Sequence, residues 1–297
     1  MDVSVDQLRT LAAVVDEGTF DAASVALGIT PSAVSQRIKA LEVACGRVLV
    51  TRGKPVRATP PGQVVLRLAR VTAQLADDTA RELGVGGPAG LARLPLAVNA
   101  DSMATWFVPA LARVPARQRA VFDVHLDDQD RTFELFRSEA VLAAVTSIAR
   151  PMPGCSVTPL GSMRYFACAA PDFAAAQFPR GFEADALARA EMVVFNRKDT
   201  LQHRFVTEVT GASLSPPAHY VPSSADFVRG IQLGLGWGLV PQLQWEALPD
   251  PLSLVHLAPD RPVDVPLFWQ VWTLDSPPLR ALTAAVLAAA AATLTPA

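Results

Sequence analysis

The chain has 297 residues, long enough for two or more domains, each with its own core. Hydrophobic residues make up 51%, an ordinary globular share, and the net charge is only −2, so any basic region is a local concentration. Cys45, Cys155 and Cys168 are far apart and odd in number, with no metal-ligand spacing, and fit small thiols in a reducing cytosol.

The opening MDVSVDQL carries acids and no apolar core, so no secretory signal is expected. Leu8, Leu11, Ala12 and Val15 predict a first amphipathic helix. Phe20, Ala22, Ala23, Val25 and Leu27 form the apolar face of a second, which Gly28 stops by adopting the left-handed conformation. Thr30 caps a third helix and Pro31 stands at its first position, where a missing N–H costs nothing. Val34, Ile38 and Leu41 are its buried stripe, which leaves Ser32, Ser35, Gln36 and Lys39 outside. That is a helix-turn-helix with short polar groups on the outer face of its second helix.

Val48 to Val50, then Arg52, Gly53, Lys54 and Arg57, predict a small basic hairpin. Between Thr30 and Arg70 eight Lys and Arg face one acid, Glu42. Phosphate binding is the physical use of such a concentration. A helical hairpin with a solvated basic face is the bland alternative, but caps, turn, stripe and charge all agree on DNA. Ser32, Ser35 and Gln36 are then expected at base edges with Pro31 packed near them, and Arg37, Lys39, Arg52, Lys54 and Arg57 at phosphates.

Residues 61 to 83 show helical spacing at Val64, Val65, Leu68, Val71, Leu75 and Leu83. A long helix belonging to no core must bury its stripe on another chain. GVGGPAG, residues 84 to 90, predicts a hinge; no strand precedes it and no helix follows at once, so it is no dinucleotide fingerprint. From Leu94 strands alternate with helices, which implies parallel sheets. Strands are expected at Pro95–Val98, Phe122–Leu126, Val141–Val145, Tyr165–Ala170, Met192–Phe195 and Phe268–Leu274, with helices over 104–112, 131–138, 183–189, 199–210 and 225–235. The Ala-rich tract Leu279 to Leu294 predicts a final amphipathic helix and no membrane span.

AASVALGITPSAVSQRIKALE, GRVLVTR and TPPGQ together resemble the LysR-type transcriptional regulators, over the whole chain. NADSMATWF, HLDDQD, AAVTS, GSMRYFA and VPSSADF resemble the branch that senses lysine and arginine and controls basic amino-acid export. The resemblance implies an α/β protein with an N-terminal winged helix-turn-helix over 1–59, a linker and dimerisation helix over 60–84 and a hinge over 85–91. A two-lobed, periplasmic-binding-protein-like effector domain follows, with lobe I at 92–161 plus 267–297 and lobe II at 162–266. The chain is expected to cross between lobes near Gly161–Arg164 and Pro262–Leu267. Leu68, Val71 and Leu75 would pair with a partner's helix to give a dimer, or a tetramer through further pairing, on a dyad-symmetric double-stranded DNA site. The resemblance also leaves room for RNA polymerase as a partner and places the protein in the cytoplasm.

Ligands in open α/β sheets bind beyond the carboxyl ends of strands, here in the cleft between lobes. The residues that follow the strands are Asn99, Asp101, Ser102, Thr105 and Trp106; Asp127 and Asp128; Thr146; Asn196 and Asp199; and Ser224 and Asp226. A helix start with hydroxyls, Ser102 to Thr105, suits a carboxylate, and the acids suit a cationic amino acid. Alone, Ser102, Ser224 and Asp226 fit helix caps, Asp127 and Asp128 fit solvated strand ends, and Trp106 fits the core as well as a cleft mouth; their common position argues for a site. No G-x-S-x-G elbow and no H-x-x-x-H pair is present, so neither catalysis nor a metal or cofactor is expected. The rival readings are an effector-independent DNA-organising or replication-blocking protein, and a solute-binding or enzymatic α/β domain with a helical accessory module.

Overall fold

In the computed structural model the described residues are 3–51, 53–82, 92–118, 120–127, 141–152, 154–273 and 276–296. The predicted hinge, the helix over 131–138, Arg52 and Asp128 lie outside them, as does the side chain of Asp127.

The first three helices follow the local signals closely. Helix α1 (Val5–Asp16) opens on a reciprocal Ser4–Gln7 capping box. Helix α2 (Phe20–Leu27) is capped by Thr19 and ends at Gly28, whose φ of 63° is the left-handed conformation that favours glycine. Helix α3 (Pro31–Cys45) begins where the Thr30 hydroxyl accepts the Ala33 N–H at 3.2 Å. Strands β1 (Val50–Thr51) and β2 (Arg57–Ala58) then pair antiparallel as a short wing.

Helix α4 (Pro60–Glu82) departs from the expected two-chain helix in its first half. Val65, Leu66 and Ala69 are buried with Leu11, Val14, Val34, Ile38 and Leu41 in the N-terminal core. Arg70 reinforces the contact by pairing with Asp16 of α1 at 2.6 Å. Val64, Leu68 and Leu75 stay exposed on another face. The helix therefore completes its own domain before it offers a stripe to anything else.

The described α/β region is built on a mixed sheet that runs through two lobes, with two short strands of the second lobe, Met192–Val194 and Ala218–Tyr220, forming a small sheet of their own. Strand β3 (Ala92–Asn99) pairs in parallel with β4 (Ala120–Asp127) and β5 (Ala143–Thr146). Between β3 and β4 the chain forms α5 (Ala100–Ser102), a π-helical turn at Met103–Phe107 and α6 (Val108–Ala112). Strand β6 (Cys155–Ala169) is far longer than the expected Tyr165–Ala170. It pairs antiparallel with β11 (Val263–Trp272) from Cys155↔Trp272 to Tyr165↔Val263, broken by a bulge at Leu267/Phe268. Arg164 and Asp264 sit opposite each other in this pair and form a two-pronged ion pair at 2.8 and 2.7 Å. The guanidinium holds the Asp264 carboxyl below its usual pKa. The two segments expected to cross between the lobes, Gly161–Arg164 and Pro262–Leu267, thus lie side by side in one ribbon.

The second lobe carries α7 (Pro171–Gln177), α8 (Ala184–Arg189), β7 (Met192–Val194), α9 (Leu201–Thr210), β8 (Ala218–Tyr220) and α10 (Ser224–Gln232). Next come β9 (Gly238–Pro241), α11 (Gln242–Glu246) and β10 (Val255–His256). Strands β9 and β10 flank the far half of β6, and β7 pairs in parallel with β8. Helix α12 (Pro277–Thr293) returns to the first lobe and buries Leu279, Leu282 and Val286 with Phe107 and Trp269. No described helix is long and apolar enough to cross a membrane.

Candidate DNA-binding and effector sites

On α3 the apolar stripe turns inward and leaves Pro31, Ser32, Ser35, Gln36 and Lys39 exposed on one side. Lys54 and Arg57 are exposed on the adjacent wing. Arg37 is placed differently from the expectation. Its guanidinium turns back to Asp6 of α1 at 3.2 Å, so it braces α3 against α1 where a phosphate contact was expected. The wing is anchored from behind: the Val56 N–H donates to the Gly18 carbonyl at 2.8 Å and the Leu49 N–H to Glu42 Oε1 at 2.8 Å.

A cavity of about 300 Å³ opens between the lobes. Asn99 and Asp101 border it from the end of β3, Tyr165 from the crossing ribbon, and Lys198, Asp199, Gln202 and Arg204 from the second lobe. Asp101 keeps some surface toward the cavity, but protein encloses its carboxylate. Oδ2 accepts from the Tyr165 hydroxyl at 2.8 Å and Oδ1 from Ser224 Oγ at 2.6 Å. Loss of water pushes the Asp101 pKa up, against the lowering effect of its two hydrogen bonds; burial and the nearby Asp101 charge raise that of Tyr165 well above normal. No described cation pairs with Asp101. Asn99 Oδ1 and Gln202 Oε1, both in the cavity wall, are buried acceptors without a donor. Lys198 and Arg204 are exposed at the rim. The cavity therefore has a floor that needs donors and a rim that offers positive charge.

Residues 5–63 match the family "Bacterial regulatory helix-turn-helix protein, lysR family", and residues 87–291 match "LysR substrate binding domain". The chain belongs to the LysR family. Its similarity to one branch spans nearly the full length. It is 41% identical over 293 residues to the lysine export transcriptional regulatory protein LysG of Corynebacterium glutamicum, covering 98% of this chain and 99% of the relative. The crystal structure of ArgP from Mycobacterium tuberculosis superposes with a TM-score of 0.90 at 41% identity and full coverage of both chains. Full-length LysG from Corynebacterium glutamicum with bound effector Arg gives 0.80 at 39%, covering 99% of this chain and 100% of that one. This LysR protein is a transcriptional regulator with a helix-turn-helix domain and a two-lobed, periplasmic-binding-protein-like α/β domain, and it is not an enzyme.

Of the expected cleft residues of this LysR protein, the structure gathers Asn99, Asp101 and Asp199, with Ser224 one hydrogen bond behind. Others do different work. Trp106 is 2% exposed and packs edge-on against Phe107 in the core, away from the cleft mouth. Thr105 donates to the Asp101 carbonyl at 2.6 Å, and buried Thr146 accepts from the Ile148 N–H at 3.1 Å. Ser102 is fully buried and its Oγ has no partner. Asn196 Oδ1 accepts from the Lys198 and Asp199 N–H groups and shapes that loop. Asp226 is exposed on the first turn of α10, outside the cavity. Tyr165, Gln202 and Arg204 were missed. Tyr165 stood within the GSMRYFA segment, and Gln202 and Arg204 on the helix after Asn196, so a strand-end reading carried one helical turn further finds the last two.

Proposed function

We propose that this LysR protein binds a basic amino acid, arginine above lysine, between its lobes and thereby controls transcription of a gene for basic amino-acid export. The observation that carries the reading is the Asp101 carboxylate, withdrawn from water and bonded, among the described residues, to two hydroxyls and no cation. A ligand ammonium or guanidinium supplies the missing cation. A guanidinium has five N–H donors, which suits Asp101 together with the orphan acceptors Asn99 Oδ1 and Gln202 Oε1. Lys198 and Arg204 at the rim suit the carboxylate. This polarity replaces the helix start at Ser102–Thr105 as the carboxylate site. The bound Arg of the structurally similar LysG supports the ligand class, and the similarity to a lysine export regulatory protein supports the regulated gene. An effector-independent DNA-organising protein has no use for such a cavity. Calorimetry with arginine, lysine, histidine and glutamate tests the reading: arginine and lysine should bind and glutamate should not. Tight glutamate binding overturns it.

The DNA-binding half acts in the cytoplasm as a dimer or tetramer on a dyad-symmetric site. Ser32, Ser35 and Gln36 read base edges, while Lys39, Lys54, Arg57 and Arg52 hold phosphates. Gln36→Ala should cost about 1–3 kcal/mol and flatten discrimination at one base pair, as a panel of operator variants will show. An unchanged ranking of variants removes Gln36 from base readout. The exposed stripe Val64, Leu68 and Leu75, with half-buried Val71 between, pairs with its copy on a partner's α4. Leu68→Asp should turn the dimer into monomers in analytical ultracentrifugation and abolish protection of the full palindrome, while arginine binding survives. A wild type that is monomeric at micromolar concentration yet protects the whole site contradicts this pairing.

A further inference from the structure

Helix α4 has a third face. Its buried side, Val65, Leu66 and Ala69, closes the winged domain, and its exposed stripe carries Val64, Leu68 and Leu75. At about 100° per residue, Arg67 lies on neither. Its guanidinium stands over the indole ring of Trp272, 5.1 Å from the ring centroid. Trp272 is the last residue of β11, so the contact joins the helix that completes the DNA-binding domain to the effector domain. Among the described residues the two domains have separate apolar cores, which leaves polar and edge contacts to join them. The ring itself is held firmly and is only 8% exposed. Its Nε1–H donates to the Val141 carbonyl at 3.0 Å in a buried bond. Gly154, at a φ of 84°, passes so close that a Cβ there would stand 2.8 Å from Cζ3 of the ring. The same strand also reaches the effector cavity: Val265 lines it, about 20 Å back along β11 from Trp272.

We propose that Arg67 and Trp272 are positioning residues for regulation: their stacking fixes the effector domain on α4 and carries the state of the effector cavity to the DNA-binding end of that helix. The signalling half rests on the effector reading above; the stacking itself does not. A guanidinium on an indole face is held both by its charge and by its flat shape, and more strongly where water is excluded. The neighbours of Arg67, Leu66 and Ala69, are locked in the core of the winged domain. A shift of β11 that drags Arg67, or lets it go, therefore acts on the winged domain as a body. Stacked and unstacked are the two states of this joint. Effector and operator each favour one of them, and that shared preference couples the two sites.

Two measurements on the full-length protein test it. Arg67→Gln, which removes the cation from a half-buried helix position, should open one tryptophan to acrylamide quenching. That gain should be absent when the same change is made on a Trp272→Phe background. Saturating arginine should change the operator affinity of the wild type by about fivefold or more, and that of Arg67→Gln by less than about twofold. Arginine affinity in the absence of DNA should stay within about twofold of wild type. Arg67→Lys keeps the charge and loses the plane, so its response should fall between the two. Unaltered quenching in Arg67→Gln overturns the stacking. A full arginine response in Arg67→Gln, loss of its arginine binding, or a lysine variant no better than glutamine overturns the signalling role. So does arginine that binds the wild type and leaves operator affinity unchanged. If arginine does not bind the wild type at all, the effector reading falls, while quenching still decides the joint.

Discussion

Asp101→Asn is expected to weaken arginine binding by about 2 to 5 kcal/mol, roughly 30- to 5,000-fold, the usual cost of removing one partner from an enclosed charge pair. The fold should survive, because Asn is nearly the same size and both hydroxyl partners stay in place. The pH dependence is the companion result. Burial raises the Asp101 pKa, so in the empty protein a proton competes with the ligand. Arginine affinity should rise with pH through that raised pKa and level off above it, with a proton released on binding below the plateau. The contribution of Asp101 to the stability of the empty protein should follow the opposite course. That contribution is greatest below the unfolded value of 3.8 and declines as pH climbs through the folded one, since the folded state disfavours the charged form. Calorimetry of wild type and variant across pH, in buffers of different ionisation enthalpy, measures all of this. A variant with wild-type affinity and an unchanged pH profile would remove Asp101 from the effector site.

Gly62→Ala should be nearly as damaging, at the other end of the molecule. Gly62 lies in the first turn of α4 against the backbone of Leu49. A methyl group there would stand 1.8 Å from the Leu49 carbonyl oxygen and 2.8 Å from its carbon. Backbone cannot yield as a side-chain tip does. Thr59 pins the same corner through its N–H to Leu49 and its hydroxyl to Val48. Overpacking of this kind costs about 3 kcal/mol, which in a domain of this size lowers the melting point by about 15 °C. Scanning calorimetry should show the N-terminal transition moved down and the second transition, with its arginine dependence, unmoved. Operator binding should be lost near body temperature. Undiminished operator binding and an unshifted first transition would mean that α4 moves off β1 without cost.

The sequence carried the N-terminal half well because its signals are local. Gly28, Thr30 and Pro31 act within one helical turn, and each does in the fold what its chemistry predicts. Arg37 escaped because its partner, Asp6, lies 31 residues away on α1. The same distance effect governs the cleft. Strand ends pointed to Asn99, Asp101, Asp199 and Ser224, but Tyr165 reaches Asp101 across 64 residues, beyond any periodicity. Trp106, for which core and cleft mouth were both open, goes to the core, where it packs on Phe107 within a π-helical turn. Asp226 looked like a ligand because it follows a strand, and in the fold it belongs to the capped first turn of α10.

The ribbon of β6 and β11 also sets the order in which the molecule is finished on the ribosome. Synthesis runs from the N-terminus at about 5–20 residues per second, and domains fold as they emerge. The winged domain, complete by Ala69, is available at once. The first lobe is not, since β5 gains β11 as its neighbour and α12 closes the core only when residues 263–293 have left the exit tunnel. A message truncated after Ala69 but before Val263 therefore yields a complete winged domain joined to an effector domain whose first lobe is never closed.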